Sequence, residues 1–523
     1  MSFRAVGHVA QSQEVRTESF SLDASWALAA AAGILTFVLH LAASGGYGYQ
    51  RDELYFVSCA RHLAWGYVDQ PPLIAVIARI ALGLFGDSLT ALRLLPALAG
   101  AVTVVLTGRL TRSLGGGPFA QGLAMLAIAL APFYLAVGNL LTMNAFEPLL
   151  WMGAAYLFIR AEETNALWLW AALGAVVGLG LDNKYTMFFF EGCGLIAIAL
   201  TPARRVFRLP GFYLAAAIAA LLVAPTLLWQ YAHGWPQLEV LRHASSDKNV
   251  VVGPLAFYLQ QVLMMNPLAA PLWIAGLVYL LMSPETSRLR WYGYAYFILS
   301  ALYLALGAKV YYLAPIYPVL IAAGGVPIER FLRNLQWARV AYPVALFASG
   351  ALIAPMAFPI LPMPTYLAYQ RLLDPRSIKM ERHPVGMVPQ HFADMLGWDT
   401  LVSSIAQVYD ALPPAEQREA AILTGNYGQA SAIDFFGPRY HLPHAISGHN
   451  NYYIYGPRGA SGKVVLAIGV DPSLLRGEFR KVERVGTFHD AYLLPDQNTL
   501  PIYKCTQPIL SMADWWPKVR RYI

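Results

Sequence analysis

Two short acidic stretches stand close together early in the chain, Arg51-Asp52-Glu53 and Asp69-Gln70-Pro71-Pro72-Leu73. Both follow a first long apolar segment, at the mouth of a membrane-embedded structure. A carboxylate beside hydrocarbon prefers neutrality unless water or a cation supports it. An acid kept ionised there is suited to take a proton from a hydroxyl or to hold a cation. The plainer explanation is a helix cap: Asp52 and Glu53 begin a helical pattern, where free backbone N–H groups favour negative charge.

Cations shift that balance. With the orientation derived below, Arg61, His62, Lys184, His233, Arg242, His243, Lys248 and Lys309 fall on the same face as the acids. Singly, each reads as a snorkelling anchor or a loop charge. Together with the carboxylates they suit an anionic ligand such as a phosphate. Three shorter motifs join them. Asn139-Leu-Leu-Thr142-Met-Asn144-Ala-Phe-Glu147 is a polar turn, Asp182-Asn183-Lys184-Tyr185 another, and Lys309-Val310-Tyr311-Tyr312-Leu-Ala-Pro315 opens a later span. No Gly-rich phosphate loop, GxSxG, HExxH or Cys/His metal spacing is present, which argues against a soluble nucleotide-binding enzyme. A divalent metal stays open, because Asp69, Glu147 and the histidines are plausible donors without diagnostic spacing.

The elements that must position these groups are membrane helices. Of 523 residues, 57% are hydrophobic and 13% charged, against about 25% charged in a typical soluble domain. Eleven apolar segments are expected to span: 25–44, 91–109, 118–138, 145–160, 167–181, 184–200, 210–230, 262–282, 291–307, 311–328 and 340–361. Residues 1–24 read as a cytoplasmic tail. Lys and Arg in the short connections then put 45–90, 139–144, 182–184, 231–261 and 308–310 on the outer side. The net charge of +7 is scattered over loops, so it reports membrane orientation and gives no sign of nucleic-acid binding.

Within 45–90, apolar residues at helical spacing predict amphipathic helices lying along the membrane interface. After residue 361 the composition changes. Residues 394–412 predict a helix, Ala420–Thr424 a buried strand, Gln429–Phe436 a helix, 463–470 a second strand and Pro472–Phe479 a further helix. Alternating strands and helices predict a small outer α/β domain over 362–523, after a transmembrane domain over 25–361. Three cysteines give no disulfide framework, although Cys59 and Cys505 share the outer side.

The Asp-Glu pair in a long first outer loop, the acid-x-Pro-Pro-Leu step, Lys184-Tyr185 and Lys309-x-Tyr-Tyr-Leu-x-Pro are recognisable together. The chain resembles the membrane glycosyltransferases of the protein O-mannosyltransferase and lipid A aminoarabinose transferase group, in the glycosyltransferase C superfamily. Gly425-Asn426-Tyr427-Gly428 and Ser447-Gly-His449-Asn450-Asn451-Tyr452 extend the likeness to bacterial members. The resemblance implies a mainly α polytopic enzyme of the bacterial inner membrane with its site and C-terminal domain on the periplasmic face. It further implies transfer of a polyprenyl-phosphate-linked sugar, with inversion, to a hydroxyl of a glycolipid such as lipid A, another glycan or a protein.

Asp52 matches the family's catalytic acid and would act as general base, with Glu53 orienting it. Lys309, backed by Arg61 and Lys184, would meet the donor phosphate, with Tyr185, Tyr311 and Tyr312 beside the donor. Asp69, Gln70, Asn144, Glu147 and His243 are further candidates, with Asp69 also a candidate metal ligand. One departure matters: the Pro-Pro step of the aminoarabinose enzymes carries a lysine where this chain has Gln70, so the sugar is not carried over. The competing readings are a transporter or lipid-linked sugar flippase, and a non-catalytic glycan binder.

Overall fold

The computed structural model describes residues 24–243, 249–373 and 381–523. The tail expected over 1–24, apart from Ala24, and Lys248 lie outside the described residues. The chain opens with α1 (Ala24–Ala43), α2 (Arg51–Arg61) and α3 (Leu73–Phe85). Then come α4 (Leu89–Ser113), α5 (Pro118–Ala129), α6 (Pro132–Val137), α7 (Met143–Thr164) and α8 (Leu167–Asn183). Next are α9 (Thr186–Ala199), α10 (Pro210–Ala232), α11 (Pro236–His243), α12 (Pro254–Met264) and α13 (Ala270–Met282). α14 (Arg290–Ala305), α15 (Tyr317–Phe331) and α16 (Gln336–Ala357) complete the bundle.

Helix occupies all eleven expected segments. Among the described residues, by length and apolarity alone, 5 helices can cross a membrane, or up to 7 when each sharply bent pair is taken as one crossing. The shortfall has local causes. Pro132 divides 118–138 into α5 and α6, and α12 meets the segment starting at Pro267 at 97°. Where helices pack most tightly, glycine permits it. A Cβ on Gly276 of α13 would stand 1.8 Å from the Leu320 carbonyl oxygen, and one on Gly324 of α15 1.8 Å from that of Leu272. Small residues on facing helices let the backbones touch inside a bilayer.

α17 (Met363–Tyr369), α18 (Gln390–Ala393), α19 (Trp398–Asp410) and α20 (Pro414–Gln417) lead into a five-stranded sheet ordered β2-β1-β3-β5-β4. Strands β1 (Ala420–Thr424), β2 (Ala445–Ile446) and β3 (Val464–Ile468) are parallel, with α21 (Tyr427–Phe436) following β1. β4 (Phe479–His489) and β5 (Thr499–Pro508) add an antiparallel hairpin. The predicted strands and helices of this region are present. The hairpin, which the sequence reading did not anticipate, carries charge along an edge strand (Arg480, Lys481, Glu483, Arg484), a pattern that protects sheet edges and disguises them as loops.

The interfacial reading of 45–90 needs correction for α2. Glu53 through Ala60 are all buried, because α2 lies between the bundle and the α/β region rather than along a lipid surface. Leu54, Tyr55 and Val57 share one apolar core with Trp398, Ile422, Tyr427 and Phe488. α3 does expose Val76, Ile80, Leu84 and Phe85. Cys59 and Cys505 are both buried free thiols, not a bridge.

Candidate active site

The segment that follows α1 is fixed by Glu53. Gln50 caps α2, its side chain accepting from the Asp52 amide at 2.6 Å, while Glu53 Oε2 accepts from the Gln50 amide at 2.8 Å. The Glu53 carboxylate is fully buried against Arg93 of α4, with Nε to Oε1 at 2.9 Å and Nη2 to Oε2 at 2.8 Å. It also accepts the Leu141 amide at 2.9 Å. Arg93 donates on to the carbonyls of Ser44 and Gly48, both at 2.7 Å. Glu53 therefore has no free face for substrate; it holds the loop that carries Asp52.

Asp52, one residue earlier, points the other way. Its side chain is one-third exposed and accepts the Tyr427 hydroxyl on Oδ1 at 2.8 Å, with Arg51 Nε 3.5 Å away. Arg51 stands 3.6 Å from Asp394 and over the Tyr427 ring. Asp69 completes the acidic group, accepting from the Tyr55 hydroxyl at 2.8 Å and the Asn450 amide at 2.9 Å. Burial pushes the Asp69 carboxyl up to about 6, the Tyr55 and Asn450 hydrogen bonds pull it back, and the Asp52 charge raises it further. Asp394 is likewise pushed up to about 6 by burial, against the pull of Arg51.

The cationic side of the site comes from three separate turns. Lys184 donates to Asn144 at 2.7 Å and to Glu147 at 2.9 Å, with the Tyr311 and Tyr312 rings 5.4 and 4.3 Å from its nitrogen. Thr186 donates to the other Glu147 oxygen. Lys309 pairs with Glu381, which also accepts from Gln390 at 2.8 Å. Nearby His383 is raised to about 9 by hydrogen bonds to Asp496 and Glu381. The charge of Glu381, which pairs with Lys309, also acts on Arg51 and Asp394 on the acidic side. Tyr185 borders it, its hydroxyl accepting from Gln230 at 3.2 Å.

Three predicted contacts are elsewhere. Arg61 ends α2, about 14 Å along the helix from Asp52 at 1.5 Å per residue. It donates to the Asp434 carbonyl at 3.3 Å and covers Phe435, so it ties α2 to the α/β region. Gln70 is buried, its amide donating to the Cys59 sulfur at 3.5 Å, which makes it a packing residue. His243, at the end of α11, meets the Tyr522 carbonyl at 2.5 Å. His62 stacks on Tyr455 and His233 on Trp229, away from the acids.

Among the described residues no three His, Cys, Asp or Glu side chains converge as metal ligands. Both Asp69 oxygens accept protein hydrogen bonds, and both Glu147 oxygens are taken by Lys184 and Thr186. The residues present do not fit a metal, and no step below is routed through one.

Sequence reasoning missed Arg93, Tyr55, Glu381 and Asp394, and gave no role to Tyr427 or Asn450. For Arg93 a signal existed: a lone arginine inside an apolar span demands a partner. Tyr55 lies within α2 itself, where its contacts to Asp69 and Tyr427 give no local signal, and the rest come from distant segments that only folding brings to α2.

Residues 69–229 match the family described as dolichyl-phosphate-mannose-protein mannosyltransferase. Lipid A galacturonosyltransferase RgtD of Rhizobium johnstonii is 28% identical over 229 residues, covering 40% of this chain and 47% of that relative. The chain thus spans about half the length of the curated relative it matches. The crystal structure of ArnT from Cupriavidus metallidurans bound to undecaprenyl phosphate superposes with a TM-score of 0.60, covering 91% of this chain and 97% of that one at 13% identity. The fold is that of ArnT. ArnT in the apo state gives a TM-score of 0.57 at 15% identity, over 92% of this chain and 98% of ArnT. The resemblance to the O-mannosyltransferase and aminoarabinose transferase group is therefore found again in independent matches of sequence and of fold.

Proposed function

We propose that this chain is an integral membrane glycosyltransferase. It moves a sugar from a polyprenyl-phosphate donor to a hydroxyl acceptor on the periplasmic face of a bacterial inner membrane, with inversion. The observation that carries this reading is Asp52: a partly exposed carboxylate at a helix start, held by Gln50 and Tyr427. The ArnT fold and the mannosyltransferase match support the donor class, and RgtD makes lipid A the first acceptor and galacturonic acid the first sugar to test.

The chemistry follows from the residue types. The acceptor oxygen attacks the anomeric carbon as its proton passes to Asp52, and the bond to the lipid phosphate breaks on the opposite face. The departing phosphate is a stable anion and requires no acid. Lys184 and Lys309, held in place by Glu147 and Glu381, stabilise the charge growing on it. The test is transfer in proteoliposomes, with polyprenyl-phosphate galacturonic acid and lipid A, and with the mannosyl donor in parallel. The expected result is a glycosylated product of inverted anomeric configuration from one of them; retained configuration, or solute movement without product, contradicts the proposal.

A further inference from the structure

The carboxyl ends of the parallel strands β1 and β2 face α2, and the loops that leave them reach the site's two acids. Tyr427 contacts Asp52 from the start of α21, just after β1, and Asn450 contacts Asp69 from the loop after β2. Resting on the reading of Asp52 as the base, we propose that Tyr427 is a positioning residue for it. The C-terminal α/β region is then part of the catalytic centre rather than an appended module.

Tyr427 is held on every side but its hydroxyl. Its ring stacks on Tyr55 at 4.4 Å, the Arg51 guanidinium lies 5.7 Å from the ring centroid, and its amide meets His449 Nδ1 at 3.3 Å. The turn that presents it is equally constrained. Asn426 caps α21 by accepting the Gln429 amide at 3.0 Å, and a Cβ on Gly425 would stand 1.8 Å from the Gly469 carbonyl oxygen. A Cβ on Gly428 would stand 2.6 Å from Arg51, so α21 and α2 touch there.

Both Asp52 side-chain contacts, to Tyr427 and Arg51, fall on Oδ1. Oδ2 is then the oxygen offered to the acceptor hydroxyl, and the Tyr427 bond fixes its direction. Burial raises the Tyr427 phenol well above its ordinary value, so it stays protonated and donates throughout. The acceptor proton goes to Asp52 alone.

The hydrogen bond donated to Asp52 Oδ1 holds the direction in which Oδ2 is presented, so losing it should slow the chemical step more than donor binding. Tyr427→Phe keeps the ring and removes only the donor. In the full-length protein, assayed with the donor and acceptor above, its kcat should fall about 10-fold with the donor KM little changed. A fluorinated tyrosine at 427, which keeps the hydroxyl, should hold kcat within about a factor of two of the unaltered chain. An unchanged kcat in Tyr427→Phe, or an equal loss in both variants, overturns the proposal while leaving the role of Asp52 intact if Asp52→Asn is inactive. Transfer retained by Asp52→Asn would instead overturn the proposed function itself.

Discussion

Arg93 of α4 and Glu53 of α2 form a two-pronged ion pair with both side chains fully buried, joining a membrane-spanning helix to the loop that carries Asp52. Its formation depends on two residues that each look costly in isolation. Arg93 stands alone in an apolar segment, and Glu53 sits in a helix start that Gln50 could cap by itself.

Removing one partner should therefore be worse than removing both. Arg93→Met alone leaves Glu53 buried and uncompensated, a defect of about 3–5 kcal/mol. Arg93→Met with Glu53→Gln should recover part of that loss, since no buried charge is then left without a partner. Thermal unfolding in detergent measures both; equal destabilisation of single and double variants would contradict the pairing.

Asp69 predicts a pH dependence of stability. Its folded value of about 6 lies above the ordinary 3.8, so between those values the folded chain holds a proton that the unfolded chain has lost. This contribution is fully present at lower pH and declines as pH rises through 6. Asp394 adds a slope of the same sign. Unfolding temperature followed from pH 4 to 7 should fall less steeply in Asp69→Asn than in the unaltered chain. A parallel curve would place the Asp69 ionisation elsewhere.

Much of the bundle was legible because a membrane span needs a long apolar run, and helix occupies every segment so identified. The parallel strands were legible for the same reason: β1 and β3 are continuous buried runs. The hairpin of β4 and β5 was not, because its edge is charged. In the site, sidedness grouped Asp52, Asp69, Asn144, Glu147, Lys184, Lys309, Tyr311 and Tyr312, of which Asn144, Glu147, Tyr311 and Tyr312 all meet Lys184. Sidedness could not separate Arg61 from them, since a short helix turns both ends to the same face of the membrane yet carries them to different neighbours. Nor could it find Tyr427, whose contact with Asp52 spans 375 residues of sequence.

Lys184 and Arg61 should thus respond differently. Lys184→Gln keeps a polar contact to Asn144 but removes the cation beside Tyr311 and Tyr312. Its kcat should fall about 10²-fold, the magnitude typical of losing one preorganised stabiliser of developing charge. A kcat within a factor of two of the unaltered enzyme would remove Lys184 from the donor side.

Arg61→Ala should leave kcat within about a factor of two, because Arg61 meets the α/β region and not the acids. Its exposed cation–π contact contributes about 0.5–1 kcal/mol. Limited proteolysis between the bundle and the α/β region should therefore quicken modestly. A 10-fold loss of transfer with unchanged proteolysis would return Arg61 to the donor site.

The central claim is that Asp52 takes the acceptor proton. The most direct measurement is the single-turnover rate of sugar transfer in proteoliposomes for Asp52→Asn beside the unaltered chain, at equal folded amount. Loss of the base should lower the rate about 10²–10⁴-fold while donor binding persists. A rate within 10-fold of the unaltered chain would contradict it.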